Sequence, residues 1–191
     1  ASIAPAGGNK PVIGTNPFAL AVPNLEGGAK FILDQSASVV AKSEIMMRAR
    51  EGHSIPEGWA LDSDGKPTTD PEVALKGSMS PSGGYKGFGT GLLVEVMAAA
   101  LSGALLGIQA SPFSGTGGGP PRTGQCFLAF DPNAYSGTVF NERITDLTEA
   151  ILCQDGARLP GARRMGNRKK IDVEGVHVAD SLLEKIKSYY T

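Results

Sequence analysis

The chain has 191 residues, 41% of them hydrophobic, with a formal net charge of −1. That length fits one domain or slightly more with a buried core, and near-neutral charge argues against a nucleic-acid or membrane-surface partner. The two cysteines, Cys126 and Cys153, share no metal or redox spacing and read as reduced, buried thiols of a cytoplasmic protein.

The 26 glycines and 13 prolines indicate a loop-rich α/β or α+β chain. It opens without an initiator methionine or targeting segment, and Ala1 to Pro5 already reads as mid-domain sequence. A piece of a longer protein is therefore expected. Ser2 to Ala4 suits a short strand, closed by Pro5 and the Gly7-Gly8-Asn9 turn. Gly14-Thr15-Asn16-Pro17 is a tight turn, since Asn before Pro favours turn initiation. Phe18 to Val22 and Lys30 to Leu33 then predict an antiparallel hairpin.

A helix is expected from about Ser38 to Glu51, with Gly52 just past its end. Asp34 then stands at a strand-to-helix junction, where a carboxylate either faces a ligand or serves a turn or cap. Residues 53 to 69 read as loop with a turn at Asp62-Ser63-Asp64-Gly65. A short helix follows, signalled by Asp70 at N-cap, Pro71 at its first position, Glu72 in its first turn and Gly77 beyond it.

The centre of the chain is the glycine-rich run Ser82 to Gly89 and the apolar stretch Thr90 to Leu106, whose one ionisable residue is Glu95. Ala, Leu and Met favour helix, and a helix apolar nearly all round belongs in an interior. At about 1.5 Å per residue it is roughly 25 Å long, short for a bilayer span, so it reads as a core helix. A glycine-rich loop holding Lys86 feeds its N-terminus, where anions bind. Neither a P-loop nor a Rossmann fingerprint fits, because Gly87 follows Lys86 and no strand precedes Gly87. Beyond it come an irregular stretch from Ser111 to Gly124, a strand from Gln125 to Phe130 and a helix from Thr138 to Cys153. A basic loop from Arg158 to Lys170 and an amphipathic helix from Ala179 to Tyr190 complete the chain.

His53 and His177 have no nucleophile placed beside them and form no metal cluster, so neither marks a catalytic site and no metal site is expected. Anion chemistry is better represented. Six cations and no acid occupy the 13 residues from Arg158 to Lys170, around the bend at Pro160-Gly161. Such a run is either a solvated face or a phosphate contact. Thr15 offers a hydroxyl within a tight turn, suited to a small carboxylate.

Five motifs in this order resemble the malate/L-lactate dehydrogenase family, which lacks a Rossmann fold: GTNPFALAVP (14–23), LDQSASVVAKSEI (33–45), IPEGWALDSDGKPTTDP (55–71), GGYKGFGTGLLVEVMAAALSGA (83–104) and LPGARR (159–164). Its members include sulfolactate and ureidoglycolate dehydrogenases, diketogulonate reductase and Δ1-piperideine/pyrroline-2-carboxylate reductases. The resemblance implies an α/β fold with a mixed, mostly antiparallel sheet covered by helices. It implies hydride exchange between NAD or NADP and a small 2-oxo, 2-hydroxy or cyclic 2-imino acid, in a cytoplasmic homodimer.

By position, Thr15 matches a substrate-contacting threonine. Asp34, Gln35 and Ser36 stand where the family has a cofactor-contacting Asp-Met-Ala; Gln35 and Ser36 depart from it. Tyr85 and Lys86 match a His-Lys pair, with Tyr85 departing. Gly161, Ala162 and Arg163 match Gly-Glu-Arg near the adenosine, with Ala162 replacing the acid. That loss, beside Arg163, Arg164 and Arg168, tilts the expectation towards NADP. Residues 1–145 are expected to form the NAD(P)-binding domain, and 146–191 a helical, basic segment completing the cofactor site. The family's catalytic histidine, its neighbouring serine and a substrate-binding arginine belong to an N-terminal helical segment not represented here. No catalytic residue is therefore expected in this chain, and the segment belongs to a longer polypeptide or a separate chain. The rival readings are a catalytically inactive nucleotide-binding or scaffold fragment and a phosphate-binding transferase, which would need an acid pair near Lys86.

Overall fold

A computed structural model describes residues 1–113 and 117–190. The chain forms two compact units that are not contiguous in sequence: residues 1–19 with 34–132, and residues 20–33 with the chain from 133 onward. The 145/146 boundary expected from the sequence falls inside a helix.

In the first unit, a core of Ile3, Ile13, Ala37, Ile45, Ile55, Ala60, Ala74 and Met79 is flanked by Val12, Trp59 and Phe88. The expected strand at Ser2 to Ala4 is reduced to single bridges from Ile3 to Ile13 and to Met79. Helix α1, Lys42–Glu51, begins four residues later than predicted and ends on Gly52 in a left-handed conformation. Before it, Ser38 bridges to Pro81 instead of continuing a helix. The expected loop 53–69 holds two short strands, β3 (Ala60–Leu61) and β4 (Pro67–Thr68), and a third, β5 (Ser78–Met79), pairs antiparallel with β3. Asp62 forms the turn between β3 and β4, its Oδ1 accepting from the Asp64 and Lys66 amides at 2.9 Å each. Helix α2, Pro71–Lys76, has the predicted cap: Asp70 Oδ1 accepts from Glu72 N at 2.8 Å.

The central helix departs most from expectation. Helix α3 spans Tyr85–Val94 and continues into a π-helical turn, Glu95–Ala100. It therefore takes in most of the glycine-rich run and stops short of Leu106. Glycines 87, 89 and 91 oppose helix on intrinsic grounds, but close packing at 87 and 91 overrides that preference. A Cβ on Gly87 would collide with the Ser82 carbonyl, and one on Gly91 would lie 2.6 Å from Ile13 Cδ1. Nor is the helix apolar-buried all round: Leu92, Leu93 and Val96 are 46%, 62% and 50% exposed.

Gln125 to Phe130 has no strand pairing, and Phe127, Leu128 and Phe130 are exposed. β-Propensity alone does not make a strand; a partner edge must supply the ladder. Cys126 and Cys153 are free and exposed rather than buried. Of the irregular stretch from Ser111 to Gly124, residues 114–116 lie outside the described residues.

The hairpin strands β1 (Phe18–Pro23) and β2 (Ala29–Gln35) form a two-stranded sheet that carries the chain into the second unit. There α4 (Val139–Leu152), α5 (Ala162–Glu174) and α6 (Asp180–Lys187) follow. The predicted basic loop is thus mainly helix. Its Arg, Lys and Met residues are good helix formers, and Pro160-Gly161 only sets where the helix begins. Within this unit Ile32 N donates to Pro160 O at 3.2 Å, and Gly161 has φ +82°. A Cβ there would lie 3.0 Å from the Ile32 carbonyl, so glycine meets both the dihedral and the space.

Candidate functional site

Three segments of the first unit converge on Ala37. Its amide donates to Thr15 O at 2.8 Å, and its carbonyl accepts from Ser82 N at 2.8 Å. This backbone chain ties the Gly14–Pro17 turn, the end of β2 and the glycine-rich run together. At the junction lies a shallow pocket of about 170 Å³, lined by Phe18, Gln35, Ser36, Ser82, Lys86 and Thr90.

Of the expected cofactor residues, Gln35, Ser36 and Lys86 share this pocket. Asp34 lies next to it at the end of β2, exposed, so the strand-to-helix junction expected there is displaced beyond Ser36. Tyr85 is 70% exposed at the first position of α3 and does not line the pocket. Thr15 is half-buried and reaches this region through its carbonyl bond to Ala37. Gly161, Ala162 and Arg163 belong to the second unit, where Gly161 caps α5, Ala162 opens it and Arg163 is exposed.

Local chemistry follows from the hydrogen bonds. Ser38 Oγ donates its one proton to Val40 O at 2.8 Å, so the 2.9 Å contact between Ser36 and Ser38 requires Ser36 to donate. Ser36 thereby presents lone pairs to the pocket. Lys86 supplies an ammonium and Gln35 both a donor and an acceptor. Gly84, at φ +65°, delivers the chain into α3, and no described side chain caps that helix. Its first-turn amides and positive dipole end accordingly favour an anion beside Lys86. Donors, acceptors and size fit a fragment of a nicotinamide dinucleotide, such as a phosphate or carboxamide, rather than the whole molecule.

Ser82, Thr90 and Phe18 were not singled out by the sequence. Thr90 carried a usable signal: it stands four residues after Lys86, on the same face once the helix starts at Tyr85. Phe18 carried none, because its neighbours there are distant in sequence, whereas Ser82 opens the glycine-rich run four residues before Lys86. His53 lies 3.3 Å from Glu51 in an exposed pair and lines no part of the pocket. Among the described residues no group of three His, Cys, Asp or Glu side chains is placed to hold a metal, and no helix is long and apolar enough to cross a membrane.

The family model for malate/L-lactate dehydrogenase matches residues 1–187. The chain is 42% identical over 188 residues to (2R)-3-sulfolactate dehydrogenase (NADP(+)) of Chromohalobacter salexigens, covering 98% of this chain and 56% of that protein. It is 43% identical over 188 residues to Δ1-pyrroline-2-carboxylate reductase of Pseudomonas fluorescens, covering 97% of this chain and 55% of that protein. In structure it resembles Δ1-piperideine-2-carboxylate reductase from Pseudomonas syringae, with a TM-score of 0.87 and 32% identity over 98% of this chain and 56% of that one. Malate dehydrogenase from Entamoeba histolytica, at a TM-score of 0.80 and 20% identity over 98% of this chain and 57% of that one, shares the fold.

Fold and motifs together define a non-Rossmann α/β chain. The chain belongs to the malate/L-lactate dehydrogenase family. It spans a little over half the length of the relatives it matches.

Proposed function

We propose that the full-length protein is an NAD(P)-dependent oxidoreductase. It exchanges hydride with the α-carbon of a small 2-oxo or 2-hydroxy acid, or of a cyclic 2-imino acid. This chain would supply the cofactor-facing part. The observation carrying this reading is the pocket that gathers Gln35, Ser36 and Lys86 at the uncapped start of α3.

When bound, the nicotinamide supplies the hydride. In the reducing direction the α-carbon gains that hydride, and its oxygen or nitrogen takes a proton to become hydroxyl or amine. Lys86 offsets anionic charge, Ser36 and Gln35 orient polar groups, and Thr15 takes the substrate carboxylate. Lys86 is assigned to charge, and the proton donor to the part of the enzyme beyond this chain, where the family resemblance puts a histidine. The test is turnover by the full-length protein across a panel of 2-oxo and cyclic 2-imino acids with NADPH and NADH. Absence of turnover on every member would overturn the reading and favour a nucleotide-binding scaffold.

NADP is the proposed cofactor. Ala162 replaces an acid that would repel a 2′-phosphate, while Arg163, Arg164 and Arg168 stand on the same helix. Ala162→Glu in the full-length enzyme should raise the KM for NADPH several-fold more than that for NADH, an effect softened by screening over about 8–10 Å. Equal effects on both would remove the basis for preferring NADP. The reading includes a homodimer, as the family resemblance implies, working in the cytoplasm, as two cysteines without redox spacing suggest; light scattering of the purified full-length protein tests its mass.

A further inference from the structure

Glu95 is the buried carboxylate of the first unit, 9% exposed at the start of the π-helical turn. Both its oxygens are used. Oε2 accepts from Asn16 Nδ2 at 2.7 Å and Oε1 from Gly107 N at 2.6 Å. Asn16 Nδ2 gives its second hydrogen to Gly91 O at 2.8 Å, so one amide group bonds two successive turns of the central helix. Asn16 has φ +40°, uncommon for any residue with a side chain, and it precedes Pro17. Its side-chain bonds hold a backbone conformation that its neighbours oppose.

This placement bears on the pocket. Positions 87, 91 and 95 form one stripe of the helix, spaced four apart. That stripe meets Ser82, then Ile13 and Ala37, then Asn16. The adjacent stripe carries Lys86 and Thr90, both of which line the pocket. Thr15 immediately precedes Asn16, and its carbonyl receives the Ala37 amide. A glutamine could not replace Glu95 without loss: its amide nitrogen would set an N–H against either Asn16 or the Gly107 amide.

We propose that Asn16 and Glu95 form a positioning strut that fixes the turn carrying Thr15 against the central helix, and so sets the grip on the substrate carboxylate. The proposal rests on Thr15 contacting the substrate, as in the function proposed above. Neither residue of the strut touches the reacting atoms; both act through Thr15. Lys86 lies nine positions from Glu95, about 13 Å along the helix axis, so the cofactor end, which the strut reaches only through Ala37 in the pocket lining, should respond less than the acid site.

The test uses the full-length enzyme and two single variants. Glu95→Gln opposes donor to donor, whereas Asn16→Gly removes the side-chain bonds while easing the positive φ. Each should raise the KM for the acid substrate roughly tenfold, with the KM for the nucleotide changed less than about twofold. A double variant combining Asn16→Asp with Glu95→Gln reverses the polarity of the bond. The introduced amide on the helix can then donate to the introduced carboxylate in the turn while still accepting from Gly107. Because the introduced carboxylate also faces Gly91 O, which the native amide bonds, this variant should recover only part of the acid KM lost in Glu95→Gln. Unchanged acid KM in Asn16→Gly, or an equal rise in both KM values, overturns the strut as a positioning device. Should Glu95→Gln not fold, Asn16→Gly decides alone. Hydrogen exchange at the Ala37 amide gives a second readout that needs no turnover. Faster exchange in Asn16→Gly is expected, and unchanged exchange overturns the proposal. Failure of the wild-type enzyme on every acid would instead count against the proposed function, leaving the Ala37 measurement to decide the strut.

Discussion

Lys86 concentrates the charge of the candidate site in one side chain. It stands at the second position of α3, exposed, where first-turn amides and the ammonium reinforce one another towards an anion. Lys86→Ala should weaken nucleotide binding by about 1–3 kcal/mol, the range for a hydrogen bond to a charged group. Far-UV circular dichroism should hardly change, because Lys86 spans no core contact and lysine and alanine are both good helix formers. Isothermal titration with NADPH measures the first effect; unaltered affinity in a folded variant would remove Lys86 from the site. Ser36 makes a contrasting case. Its proton is committed to Ser38, so its contribution to a ligand is an acceptor, which residue type alone does not reveal.

At the scale of elements, α3 depends on glycines at contact points. Gly91 is buried, with an added Cβ falling 2.6 Å from Ile13 Cδ1 and 2.9 Å from Ala37 Cβ. On an exposed helix Gly→Ala stabilises by up to about 1 kcal/mol, but here overpacking costs about 1–3 kcal/mol. The collision should win, so Gly91→Ala is expected to lower stability in urea denaturation. A higher midpoint would mean that α3 can move off Ala37 freely. Gly89 is the control: it is exposed, and an added Cβ there meets nothing within 4 Å. Gly89→Ala should therefore raise stability modestly.

Over the whole molecule, the pocket has groups suited to binding, and neither His53 nor His177 lines it. The 191-residue segment expressed alone is expected to give no turnover, judged by the absorbance of NADPH against the acid panel. Turnover that disappears on mutating His53 or His177 would show that a histidine of this chain does the acid–base work.

Some of this was determined by the sequence alone. Asp70-Pro71-Glu72 and Asp62 to Gly65 act through bonds within four residues, so the α2 cap and the β3–β4 turn were legible without tertiary contacts. The hairpin of β1 and β2 was legible from two apolar runs joined by a short turn, closed by Asn24 N donating to Gly28 O, and the five motifs identified the family. Tertiary structure decided the rest. Glycines 87 and 91 read as loop or helix breakers until the Ser82 carbonyl and the Ile13 and Ala37 side chains require their lack of a Cβ. Gln125 to Phe130 reads as strand, yet pairing needs an edge that sequence cannot supply. Glu95 reads as a stray charge in an apolar run; its partners, Asn16 and Gly107, are 79 residues before it and 12 after it. Bonds spanning a few residues are written in local sequence, whereas a buried carboxylate's donors are set by which distant segments the fold brings within about 3 Å.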